Sequence, residues 1–508
     1  MIVIQDWIRS AKARRGAAAY LEDARGPAGL SYAGLARAAR GWAHVLDQAE
    51  VPPGVGVAIR LADPVSYATA LVAVLAAGRV AVPLDPAAPA ARLGRVLSVA
   101  RPAAAVCDAP DGLPPGLPLL RPPGPGLPPG AGRSAPPGLA GGGGIFLCTS
   151  GTTGTPKGIL LTEDQLGHVA DCVARHHRLT AADRGYCPLP LFHVNAQVVG
   201  LLSTLRAAAA LVLDRKFSRR GFWPLMAGRQ ITWINAVPAI IAVLALDPPV
   251  LAPDPPVSAT VPAASPHPGI RFVRSASAPL PPSVLARFEA AFGLPVLETY
   301  GMTEAASMIT ASPLDGPRKP GSAGRPAGAR LRIARPDRPQ YEPCPAFETG
   351  RVQIRGRGVI RRYAAGGREG AIGRDGWLDT GDLGHLDQDG YLFLAGRTDD
   401  VINRGGEKIY PREIEDFLLA QPGVSAAAVV AAPDPVLGAC PVAWIVPADA
   451  RPDLADALRA ACDRDLPRPL RPRAVRLLAE LPLGPTGKPD RIRLQHAAAR
   501  DGEEISTP

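Results

Sequence analysis

Short apolar runs alternate along most of the chain with longer stretches of helical periodicity. Val55–Leu61 and Val80–Pro83 read as buried strands, with a buried helix over Tyr67–Ala77 between them. A helix opens at Leu30-Ser31-Tyr32, with Leu35, Ala38 and Trp42 on its apolar side. Strands alternating with helices predict a layered α/β fold. Ile145–Cys148 and Ile159–Leu161 are two further apolar runs, and the loop between them makes a hairpin-like turn. Thr162 then reads as a helix N-cap with Gln165 completing a capping box, before a helix over Glu163–His176. Trp233–Val237, Ile270–Val273 and Val296–Glu298 read as strands, and Arg274–Pro279 as a turn of small residues at a strand end.

Further on, Trp377–Leu383 reads as an acidic turn and Asp387–Tyr391 as a hairpin tip. The pattern changes at Arg397–Asp400, which marks a boundary between residues 1–397 and 398–508. The second unit reads as small and α+β: helix Arg412–Ala420, strands Ala427–Ala431 and Cys440–Ile445, helix Asp453–Asp465, strand Ala474–Leu478. Pro110–Gly144, with its GPGLPPG and GGGG runs, is predicted to be a connection without regular structure.

Composition narrows this picture. The 508 residues exceed what one core organises, so more than one domain is expected. Net charge is +10, mostly from scattered arginines without interleaved aromatics, which suits anionic small molecules better than nucleic acid. The seven cysteines have no CxxC spacing, which argues for free thiols in a reducing compartment and against zinc. No apolar stretch reaches membrane-spanning length, so no membrane insertion is expected, and the location predicted is the cytoplasm.

The loop Thr149–Gly158, TSGTTGTPKG, is the first candidate for chemistry. Its glycines allow backbone N–H groups close to an anion, its hydroxyls add donors, and Lys157 adds charge, so it reads as a phosphate cradle. A Walker A loop would need glycine directly before the lysine, where Pro156 stands. Tyr300-Gly301-Met302-Thr303-Glu304 puts an aromatic, a hydroxyl and a carboxylate at the carboxyl end of a strand, where open α/β sheets bind ligands. His193 follows the apolar run Cys187–Phe192, at the position of a pocket wall.

Taken in order, TSGTTGTPKG (149–158), YGMTE (300–304), TGD (380–382), GRTDD (396–400), GGEKI (405–409) and PTGK (485–488) resemble the acyl-adenylate-forming superfamily of acyl-CoA synthetases, adenylation domains and luciferases. The resemblance implies a large layered α/β domain and a small mobile one. It implies ATP and Mg²⁺, with Thr149, Ser150, Gly151, Thr152, Thr153, Gly154 and Lys157 around the β,γ-phosphates. Tyr300 would stack on adenine, Ser277, Ala278, Gly301 and Met302 would also contact the cofactor, and Thr303 would meet the α-phosphate. Glu304 would hold the metal, and Asp382 would bind the ribose, helped by Arg397. Lys488 would bridge the carboxylate and the α-phosphate. Asp399 would be the hinge, and Gly405-Gly406 the loop that admits the thiol.

The CPLPLFHVNA segment resembles acyl-CoA synthetases, and the RSASAPLPP, YGMTEAASMITASPL and RKPGSAGRP stretches are most similar to oxalyl-CoA ligases. Those enzymes carry histidines where Asn195 and Ser307 stand, so a less polar acid than oxalate is expected. His193, Val194, Asn195, Val237, Ser275, Ser307 and, again, Ser277 and Met302 would line its pocket, with His193 also a candidate catalytic group. The activity implied is activation of a small carboxylic acid and transfer to CoA. An amine or a carrier-protein thiol is the alternative acceptor, and a monomer or homodimer the expected assembly. There is no G-x-S-x-G of a hydrolase.

Overall fold

The computed structural model describes residues 4–122, 142–149, 157–245, 269–335, 343–367, 369–483 and 489–500. Ten elements carry the site: β1 (Gly144–Thr149), β2 (Lys157–Thr162), α1 (Glu163–His176), β3 (Arg184–Cys187), β4 (Trp233–Ala236), β5 (Phe272–Ser275), β6 (Val296–Tyr300), β7 (Leu378–Leu386), β8 (Leu392–Arg397) and α2 (Pro411–Leu419).

Two α/β layers form the body of the large part. One is a five-stranded sheet in the order Ala104–Cys107, Gly56–Arg60, Val80–Pro83, β1, β2; its strands run parallel until β2 turns back on β1. The other is nine-stranded, with β3, β4, β5 and β6 as parallel neighbours at its centre. Parallel strands covered on both faces need continuous apolar runs, which explains how these strands look in sequence. A single buried cluster, from Ile4 and Tyr32 through Val72 to Phe288 and Met308, joins the two layers. A four-stranded antiparallel sheet, Arg330–Ala334, Gly350–Arg355, β7 and β8, follows.

Beyond Thr398–Asp400, a 3₁₀ turn, the chain builds a smaller five-stranded sheet with apolar clusters of its own around Ile414, Val429 and Ile445, and around Trp444 and Leu494. A large α/β part with a smaller C-terminal domain is the fold class expected. Among the described residues no helix is long and apolar enough to cross a membrane.

The hairpin β1–β2 pairs from Gly144↔Thr162 to Thr149↔Lys157, and α1 starts in the predicted capping box. Two expectations need correcting. The acidic turn at 377–383 is the start of strand β7; Gly381, at φ +79°, sits where the ladder register shifts, so the strand bulges and continues. The strand expected at Ile270–Val273 lies two residues later, because pairing with β4 and β6 extends through Ser275 and takes Arg274 out of the turn. An additional π-helix, Asn195–Leu202, is buried along its whole length.

Candidate functional site

The carboxyl ends of β5 and β6 form the floor of the site. Backbone between Tyr300 and Ser307 doubles back tightly: a Cβ on Gly301 would lie 1.3 Å from the Ser307 carbonyl oxygen, so only glycine fits there. Ala306 and Ser307 both take positive φ to make the turn. The fold thereby sets Tyr300, Thr303 and Glu304 side by side. Tyr300 Oη donates to Asp382 Oδ2 at 2.5 Å, and Arg397 Nη1 donates to Asp382 Oδ1 at 3.1 Å and to the Thr380 carbonyl at 3.2 Å. Burial and the adjacent Asp382 carboxylate hold the Tyr300 phenol proton in place. Three residues from β6, β7 and β8 thus converge on one corner with an aromatic ring, a carboxylate and a guanidinium. That combination suits the flat base and paired hydroxyls of a nucleoside.

Glu304 is 8% exposed, and its carboxylate accepts from Tyr363 Oη at 3.1 Å. No ion pair to it exists among the described residues. A buried carboxylate with one hydroxyl partner and no cation is a fitting anchor for a divalent metal ion. Tyr363 belongs to a strap over residues 359–365. The strap accepts from Gln165 Nε2 at Val359 O (2.9 Å), its Ile360 N–H donates to Glu304 O (2.8 Å), and Ala364 and Ala365 bond both ways with Gly158 (2.8 Å each). The base of the candidate phosphate loop is therefore tied to the candidate metal carboxylate.

Of the predicted site residues, the hairpin ends Thr149 and Lys157 face each other across the ladder, while Ser150–Pro156 and Lys488 lie outside the described residues. Asp399 is exposed in the 3₁₀ turn, and Gly405 and Gly406 form an exposed hairpin tip at φ +58° and +91°. Ser277 (φ +75°) and Ala278 are exposed at the end of β5, beside the half-buried Met302 and Thr303. His193 and Val194 lead into the π-helix, both half-buried; desolvation draws the His193 imidazole below its usual range, so the ring is neutral near pH 7. Val237 is half-buried ahead of the helix Pro238–Ala245, and Ser307 is buried in the Gly301 turn. Ser275 is buried and pairs in the sheet with Ala236 and Glu298, on the face opposite Arg274.

Three residues escaped the sequence reading. Arg274, 1% exposed, donates through Nη1 to Oδ1 of Asn195 (3.0 Å) and of Asn235 (3.2 Å). Asn235 Nδ2 in turn donates to Asn195 Oδ1 (3.2 Å), and Asn195 Nδ2 to Ser277 Oγ (3.5 Å). The third is Tyr363. A charged residue inside the apolar run of RFVRS and an amide inside WINAV were the available signals for the first two.

With this geometry, the comparisons are consistent. The AMP-binding enzyme model matches residues 7–123 and 145–364, and the model of the AMP-binding enzyme C-terminal domain matches 413–488. A sulfoacetate–CoA ligase of Cupriavidus necator is 43% identical over 70% of this chain and 67% of its own. An oxalate–CoA ligase of Arabidopsis thaliana is 39% identical over the same shares. The crystal structure of ATP-bound MatB from Rhodopseudomonas palustris superposes with a TM-score of 0.84 at 26% identity, covering 97% of this chain and 98% of that one. The nucleoside corner, the buried carboxylate and these matches place the chain in the family of AMP-binding, acyl-adenylate-forming enzymes.

Proposed function

We propose that the chain activates a small carboxylic acid with ATP and passes the acyl group to CoA. The observation that carries this reading is the meeting of Tyr300, Asp382 and Arg397 at one corner, with Glu304 buried close by in the same turn. In the first half-reaction the acid's carboxylate attacks the α-phosphorus of ATP, giving an acyl-adenylate and pyrophosphate. Both partners are anions, so the residues must supply positive charge. Lys157 lies at the mouth of the phosphate loop, Arg397 beside the ribose carboxylate, and Lys488 is the cation assigned to the α-phosphate. A Mg²⁺ ion held by Glu304 would lower the charge of the phosphates. Thr303 donates towards the α-phosphate, and Tyr300 and Asp382 hold the nucleoside so that the reacting atoms meet in line.

In the second half-reaction the CoA thiol attacks the acyl carbon and AMP leaves. The domain boundary is put at 397/398, with rotation about Asp399 bringing the Gly405-Gly406 tip to the site. A Cβ on Gly406 would meet nothing within 4 Å at this exposed tip, and once the tip is rotated to the site the missing side chain would leave room for a slender thiol arm. The seven cysteines carry free thiols, in keeping with a reducing cytoplasm.

The test is acid-dependent exchange of labelled pyrophosphate into ATP across a broad acid panel, with product masses measured after adding CoA, an amine or a carrier protein. Exchange with at least one acid and an acyl-CoA product are expected. Lys488→Ala should lower exchange by roughly 100- to 1,000-fold. Exchange unaffected by that substitution would remove Lys488 from the reaction, and an amide product would replace CoA as acceptor.

A further inference from the structure

The group beneath the acid pocket has an electrostatic peculiarity. Arg274 is a fully buried cation with no carboxylate in ion-pair range among the described residues, and its Nε has no hydrogen-bond partner. Its titratable neighbours do not supply a negative charge. Burial pushes the Cys187 thiol up to about 11 and draws His176 and His177 down, towards their neutral forms. Burying a guanidinium without a counter-ion is costly, and burial lowers Arg274 to about 9.

A guanidinium can only donate, and this fixes the polarity of everything above it. Arg274 forces the Oδ1 atoms of Asn195 and Asn235 to face downwards. Asn235 then has only its amide N–H groups for Asn195 Oδ1 and Cys187 Sγ. With its carbonyl occupied twice, Asn195 must turn its NH₂ the other way, towards Ser277 at the candidate pocket. Either amide flipped would set a donor against the guanidinium. The start of the π-helix therefore turns the Asn195 amide N–H groups towards Ser277, backed by an uncompensated positive charge.

We infer that Arg274, acting as a positioning residue through Asn195, selects acids whose far end carries a second anionic acceptor, a carboxylate or a sulfonate. This rests on the acid-activating reading above. It revises the sequence-based expectation of a less polar acid, which followed from the missing histidines and did not include Arg274.

The test uses pyrophosphate exchange with malonate against propionate, succinate against butyrate, and sulfoacetate, in the wild-type chain, Arg274→Met and Asn195→Asp. The wild type should favour the anion-ended member of each pair. In both variants that preference should fall on the order of 10- to 100-fold, the scale of one charged hydrogen bond. Asn195→Asp keeps the side-chain shape and gives the guanidinium a carboxylate, so it carries the test even if Arg274→Met does not fold. The preference between acids of equal length is a readout that a purely structural role would not move. Wild-type exchange with monocarboxylates alone, or an unchanged preference in Asn195→Asp, overturns the inference and leaves adenylation standing. Absence of exchange with any acid overturns both.

Discussion

Gly301 and Gly406 are both glycines in predicted motifs, yet the structure requires them for different reasons. At Gly301 the obstacle is backbone: any Cβ would fall on the Ser307 carbonyl, and a carbonyl in a tight turn cannot rotate aside as a side chain can. Gly301→Ala should cost about 3 kcal/mol or more and weaken ATP binding, because Tyr300 and Glu304 flank the turn. At Gly406 only the positive φ matters, and Gly406→Ala should cost about 1–2 kcal/mol. Thermal or denaturant unfolding of the two variants checks the contrast, and equal losses would refute it. A motif table gives both glycines the same weight; the distances separate them.

At the level of elements, local rules carried far where partners are close in sequence. The β1–β2 hairpin, the Thr162–Gln165 box and the span of α1 were all legible because each is decided within a few residues. Thr162→Ala should destabilise by about 1 kcal/mol and Thr162→Ser by much less, read from unfolding midpoints; an unaffected Thr162→Ala would mean the helix start is held by packing alone. Legibility ended where strand neighbours come from distant segments. Arg274 looked like part of a turn because nothing local reveals that β4 and β6 pair on either side of it. The network of Arg274, Asn235 and Asn195 draws one residue from each of three segments and has no linear signature. The strand at Asp382 was hidden similarly: Thr-Gly-Asp has turn composition, and only the neighbouring strands convert it into a bulged ladder.

Across the whole molecule, the small domain meets the large one through α2. Arg412 donates to the Leu394 carbonyl of β8 at 2.9 Å, and Ser283 Oγ donates to the Leu419 carbonyl at 3.4 Å. Glu298 on β6 lies under this contact, where burial raises its carboxyl to about 8, against the pull of Arg412. The unfolded chain releases that proton near pH 4.3. Stability is therefore fully present below about pH 4.3 and falls as pH rises towards 8, since the folded form retains a proton that the unfolded form has lost. Glu298→Gln should flatten this slope in thermal unfolding between pH 5 and 8.5, and parallel slopes for the two proteins would exclude Glu298 as its source.

The strap at 359–365 has a mechanical meaning as well. One short piece of chain grips Gly158, where the candidate phosphate loop is rooted, and Glu304, the candidate metal carboxylate. It works as a fixed gauge between the root of the candidate phosphate loop and the candidate metal carboxylate: peptide geometry sets their spacing before any ligand arrives. A strap longer by one residue would let those two anchors drift apart without touching a single residue of the motifs.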